Sequence, residues 1–176
     1  MEKVKNDLTQ KYSKATRRIH WLSFIGILVL IPLGLFMEEL EYGEQKLNMF
    51  QLHAIIGAVV LLLTIFRIFV FFKHPRPPHL KTGSSFNDKL AVWIHYSFYI
   101  VLIPIFISGI TILIQSGLIE AFKSGDYKLM PEHIDLPATS GHWFFAMLLI
   151  FLIVLHIVGV IKHYLLTKEN TIKRIF

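Results

Sequence analysis

Residues 141–164 read GHWFFAMLLIFLIVLHIVGVIKHY, and this stretch decides the fold. It is long and apolar enough to cross a bilayer as one helix, which takes roughly 20 residues. Yet it carries His142, His156 and His163. A helix turns by about 100° per residue, so the step from His142 to His156 returns to within about 40° of the same face. The step on to His163 returns to within about 20°. The first step also climbs about 21 Å along the axis. Three imidazoles therefore form one stripe at lipid depth, where ionisable groups are costly and face a bundle interior. Any one of them could be a packed, hydrogen-bonded histidine. The whole stripe has the spacing that two stacked ligands require.

The rest of the chain agrees with a membrane setting. Its 176 residues are 54% hydrophobic and include 15 Phe, with a mean hydropathy of +0.56. That is beyond a soluble domain of this size. There is no cysteine, which excludes disulfides, thiolate zinc sites, iron–sulfur clusters and thioether-linked haem. The nine histidines are left as the strong metal ligands. The polar first eighteen residues lack the apolar core of a cleavable signal.

Four spans are expected in one all-α domain over 1–176, at about 20–37, 48–72, 88–115 and 141–164. Pro32 lies within the first and Pro104 within the third. SKATRRIHW reads as a helix forming before the first crossing, and Asn87 as the N-cap of the third. The segment KHPRPPHLKTGSSFND is read as irregular. Residues 116–140 are read as a loop with room for a short surface helix. Three flanks, 1–19, 67–94 and 162–176, hold 15 Lys/Arg and 4 acids, whereas the two remaining loops hold 3 and 8. The positive-inside rule then places both termini in the cytoplasm. It also accounts for the net charge of +6 without a nucleic-acid partner.

With that topology, His53 and His142 lie at the outer ends of their spans, while His20, His95 and His156 are candidates toward the inner side. Two imidazoles facing each other across a bundle core suit a six-coordinate haem iron. Gly57 and Gly159 fall on the ligand faces of His53 and His156, where a missing side chain admits a flat macrocycle; ordinary small-residue packing is the alternative. Arg67 is fourteen residues past His53, on the same face at the inner depth, and suits a haem propionate. Snorkelling to the headgroups is its alternative. Trp21, Trp93 and Trp143 read as an interfacial belt. His74, His79 and His133 lie in polar loops and read as solvated.

Taken in order, KATRRIHW, QLHAIIG, FRIFVFFKHPRPP, WIHYSFY, GHW, LHIVGVIKHY and KENTIKR resemble the prokaryotic cytochrome b561 family over nearly the whole chain. The resemblance implies a transmembrane four-helix bundle enclosing two b-type haems in a bacterial inner membrane. It implies His53 and His142 on the outer haem, and His20 and His156 on the inner one. His95 and His163 match positions near the inner haem and become candidates for quinone binding or proton delivery.

That family has two functional settings. Free-standing members pass electrons from superoxide to ubiquinone, and others anchor a hydrogenase or dehydrogenase subunit and relay its electrons to quinone. The compact chain fits the first, although its outer loops sum to −5 and would repel an anion unless Lys46, Lys123 and Lys128 form a local funnel. From another class, a histidine-based proton or metal transporter would use the same stripe. The absence of an intramembrane carboxylate, the usual partner in a proton relay, weighs against it.

Overall fold

The computed structural model describes residues 6–82 and 84–176. Among these, four helices are long and apolar enough to cross a membrane: α1 (Lys14–Glu39), α2 (Glu44–Lys73), α3 (Ser85–Gln115) and α5 (Pro137–Thr167). Between α3 and α5 lies the short α4 (Leu118–Ser124), followed by a 3₁₀ turn at Tyr127–Leu129. All four long helices outrun the spans read from hydropathy. Apolarity marks only the part in hydrocarbon, whereas backbone hydrogen bonding continues into the headgroup layer.

The ends follow from local chemistry. Ser13 caps α1, its side chain accepting from the Thr16 N–H. The N-cap of α3 is Ser84, which accepts from the Asn87 N–H. Asn87 is therefore inside the helix, and the last four residues of KHPRPPHLKTGSSFND are its first turn. Asp88 fixes the approach by accepting from the Thr82 N–H and hydroxyl at 2.8 and 2.7 Å. Pro137 stands in the first turn of α5, where its missing N–H costs nothing. Gly117 and Gly125, at φ 79° and 71°, bracket α4 with the left-handed turns that glycine tolerates.

Helix α1 packs along α2, and α3 along α5, while α2 and α3 touch only sparsely. The bundle is thus two hairpins laid side by side. The α1–α2 seam is tight: a Cβ on Gly26 would lie 2.6 Å from Val60 Cγ2. Midway along α5, Leu149 and Leu152 pack with Val101 and Leu102 of α3, and Ile27 of α1 joins them. This apolar layer separates the two histidine depths. At the end that the charge pattern assigns to the outer side (the opposite end being its inner one), α4 and Met130 cover Leu47 of α2. The surface is inverted relative to a soluble protein: Phe72, Ile107 and Leu166 are 79, 61 and 68% exposed, as lipid-facing side chains are.

The inner end is tied by polar contacts. Asn6 donates from its N–H and amide to the two Glu169 carboxylate oxygens at 3.1 and 2.7 Å, and exchanges hydrogen bonds with the Lys81 backbone. The buried Arg174 donates to the carbonyls of Gln10 and Pro78 at 3.0 and 2.9 Å. Arg17 and Trp21 donate to the carbonyls of Phe176 and Ile175. The N-terminal arm, the α2–α3 connection and the tail thereby close one face of the bundle.

Candidate functional site

Five histidines gather at two depths of the bundle, four of them half-buried and His95 exposed at its side. Near the outer end, His53 of α2 faces His142 of α5 with ring centroids 6.2 Å apart and planes at 67°. The His142 Nδ1 lies 3.0 Å from Ser108 Oγ and 3.1 Å from the Ile105 carbonyl. The His53 Nδ1 is buried without a hydrogen-bond partner among the described residues. Each ring backs onto a glycine of the adjacent helix. A Cβ on Gly34 would come within 3.3 Å of His53 Cε1, and one on Gly109 within 3.3 Å of His142 Cε1.

At the inner depth, His156 of α5 stands 5.0 Å from His95 of α3, edge to face, and 5.7 Å from Phe98. His95 Nδ1 lies 2.6 Å from the Ala91 carbonyl, so Nδ1 carries the proton and Nε2 is left free. His20 of α1 is turned to Arg67, whose Nη2 is 3.1 Å from His20 Nδ1. A guanidinium only donates, so this Nδ1 accepts. Arg67 thus reaches the inner histidine group, where it meets the His20 imidazole and lies 5.9 Å from the Tyr99 ring. A Cβ on Gly57 or Gly159 would meet nothing within 4 Å. Neither glycine serves a close helix contact, and both leave the backbone open beside a ligand face.

His163 lies beyond this group, in the last turns of α5, with Nε2 3.2 Å from Glu169 Oε2. Partial burial alone would raise the Glu169 pKa, but the Asn6 side-chain and backbone donors, and then His163, hold it below its ordinary value. Lys168, at φ 60°, makes the left-handed turn that precedes Glu169. His74, His79 and His133 are exposed.

Sequence reasoning missed Ser108, Gly34, Gly109, Asn6 and Glu169. The two glycines left a signal, since each lies on a neighbouring helix at the depth of the outer histidines. The contact of Asn6 with Glu169 left none, the two being 163 residues apart.

Among the described residues no group of three or more His, Cys, Asp or Glu could hold a metal ion. Imidazoles gathered in pairs suit an iron already held by a macrocycle, which asks the protein for two axial ligands. The outer pair fits this by distance. Two metal–nitrogen bonds of about 2 Å, with roughly 1 Å from each nitrogen to its ring centre, span about 6 Å.

Apolar helices that bring imidazoles together at two depths have the architecture of a four-helix membrane cytochrome. The chain belongs to the prokaryotic cytochrome b561 family, whose sequence profile matches residues 11–176. It is 27% identical over 172 residues to "Cytochrome b561 homolog 2" of Escherichia coli (strain K12), covering 94% of this chain and 90% of the relative. It is 29% identical over 174 residues to "Probable superoxide oxidase CybB" of Yersinia pestis, covering 94% and 95%. No solved structure gives a significant match. The protein is therefore a multi-pass membrane protein of an electron-transfer family, and membership implies the two b-type haems typical of it.

Proposed function

We propose that this chain carries electrons from a donor on the His53/His142 side of the membrane to ubiquinone near the opposite face, acting as a superoxide:ubiquinone oxidoreductase. One observation carries the reading: α5 presents His142 against His53 and, deeper along the same helix, His156 against His95, with an apolar layer between. His53 and His142 hold the outer haem, and the family resemblance gives His20 and His156 the inner one, with Arg67 at its edge; to ligate there, His20 must exchange its hydrogen bond from Arg67 for the metal. Each bound haem supplies a reversible one-electron couple. In the overall reaction two superoxide ions each lose one electron to become dioxygen, and ubiquinone takes two electrons and two protons to become ubiquinol. The description of the Yersinia relative as a probable superoxide oxidase supports this donor.

The chain's own residues bind, insulate and supply protons. The Leu149–Leu152 layer keeps water from the path between the histidine depths. Glu169, kept ionised by its Asn6 donors, accepts a hydrogen bond from His163 Nε2 and orients that imidazole as a proton carrier at the aqueous end of the path. His95, whose Nδ1 proton is held by the Ala91 carbonyl, is the second candidate, taking up a proton at its free Nε2 and passing it to the quinone.

A second reading, the cytochrome subunit of a hydrogenase or dehydrogenase complex, is favoured by the state of Lys46. Its ammonium donates to the carbonyls of Glu38 and Leu40 at 3.3 and 2.8 Å and is spent capping α1. Lys123 and Lys128 are exposed and remain to draw in an anion. The deciding experiment supplies enzymatically generated superoxide and ubiquinone to the purified protein in detergent or vesicles. Ubiquinol formation, with haem reduction seen in the visible spectrum, is the expected result. A b-type spectrum that superoxide does not reduce would leave the subunit reading, and no haem spectrum at all would remove both.

A further inference from the structure

We infer that Ser108 and Gly109 of α3, a helix that supplies no ligand to the outer haem, are positioning residues that set the orientation and electronic character of His142. The inference rests on the reading that His53 and His142 ligate that haem. Ser108 is buried, and its hydroxyl has one proton to give. The nearest acceptor is the Pro104 carbonyl at 2.7 Å, with that of Ile105 at 3.0 Å. With the proton committed to the backbone of α3, Oγ can only accept from His142 Nδ1, 3.0 Å away. The Ile105 carbonyl, 3.1 Å from the same nitrogen, can also only accept. Two acceptors converge on Nδ1, so it carries the ring proton and Nε2 keeps its lone pair for a metal.

Gly109 makes that approach possible. A Cβ there would sit 3.3 Å from His142 Cε1 and 3.6 Å from Nδ1, pushing the ring away from both acceptors. The opposite ligand is built differently. His53 rests on Gly34 with matching closeness, 3.3 Å to Cε1 and 3.7 Å to Nδ1, yet its Nδ1 has no partner among the described residues. Hydrogen bonding at the distal nitrogen of an imidazole strengthens its donation to a metal. Stronger donation favours ferric over ferrous iron and lowers the reduction potential. His142 is thus the firmly held, strongly donating ligand, and Ser108 supplies one of the two acceptors behind that effect.

The test is a redox titration of the full-length, two-haem protein, followed in the visible spectrum, with the inner haem as internal control. Ser108→Ala is expected to raise the potential of the outer haem and leave the inner unmoved. Ser108→Thr, which keeps the hydroxyl, is expected to return it to the wild-type value. Gly109→Ala should shift the low-spin EPR signal of the outer haem alone; if that variant fails to accumulate, the Ser108 pair decides by itself. An unmoved outer potential in Ser108→Ala, an equal shift of both haems, or a Thr variant that behaves like the Ala variant would overturn the inference. A His142→Ala variant separates the two readings. If it retains both haems, the ligand assignment has failed; if it loses the outer haem while Ser108→Ala is silent, only the role of Ser108 has.

Discussion

His53 and His142 meet across the bundle with no third imidazole nearby, whereas the inner depth gathers His20, His95 and His156 around Arg67. Replacing ligands one at a time should therefore give clean results outside and a decisive one inside. His53→Ala or His142→Ala is expected to lose the outer haem and keep the inner, and His156→Ala the reverse. With His20 as the inner partner, His20→Ala loses the inner haem and His95→Ala retains it, read by haem stoichiometry and low-spin EPR signals. The opposite result for those two variants would assign the inner haem to the His95–His156 pair. A proton-delivery role for His163 predicts slower quinone re-oxidation of the reduced haems in His163→Ala, with reduction from the donor side unchanged.

Among the elements, the α1–α2 seam is the most exacting. Val60 is 1% exposed, and a methyl at Gly26 would overlap its Cγ2. Val is stiff at χ1 and cannot swing aside, so Gly26→Ala should destabilise the protein by about 1–3 kcal/mol. The measurement is thermal denaturation in detergent. Adding Val60→Ala should recover part of the loss, because the clash is with that one side chain. At the inner end of α5, the Glu169–His163 contact gives a pH signature. The Glu169 pKa is depressed in the folded state, so the unfolded chain binds its proton first and stability rises with pH. That contribution is complete above the ordinary value of 4.5 and is lost as pH falls through the lowered one. Asn6 and His163 are the groups that contact the carboxylate, and Glu169→Gln should flatten the acid side of a plot of melting temperature against pH.

For the whole molecule, two hairpins that touch sparsely gain much of their mutual hold from whatever bridges them. Haem that binds the folded bundle and not the unfolded chain stabilises it by mass action. We expect two b-type haems per chain by pyridine haemochrome assay, and a melting temperature that falls when haem is withheld during expression. A count of one or none would overturn the two-site reading.

The crossings, their number and the depth of each histidine were legible in the sequence, because lipid imposes length and apolarity directly and a helix converts spacing into face and height. Hence α5 could be read from residues 141–164, with His142 and His156 on one stripe. The bounds of α3 were less legible: Ser84 and Asn87 are both good caps, and only the fold of Thr82 around Asp88 chose between them. The partners were decided by tertiary structure alone. Nothing in the spacing along single helices brings Ser108 to His142, Gly34 to His53, Arg67 to His20 or Asn6 to Glu169. Those pairings depend on how four separate helices rotate about their own axes as they pack, which residues on different helices settle together.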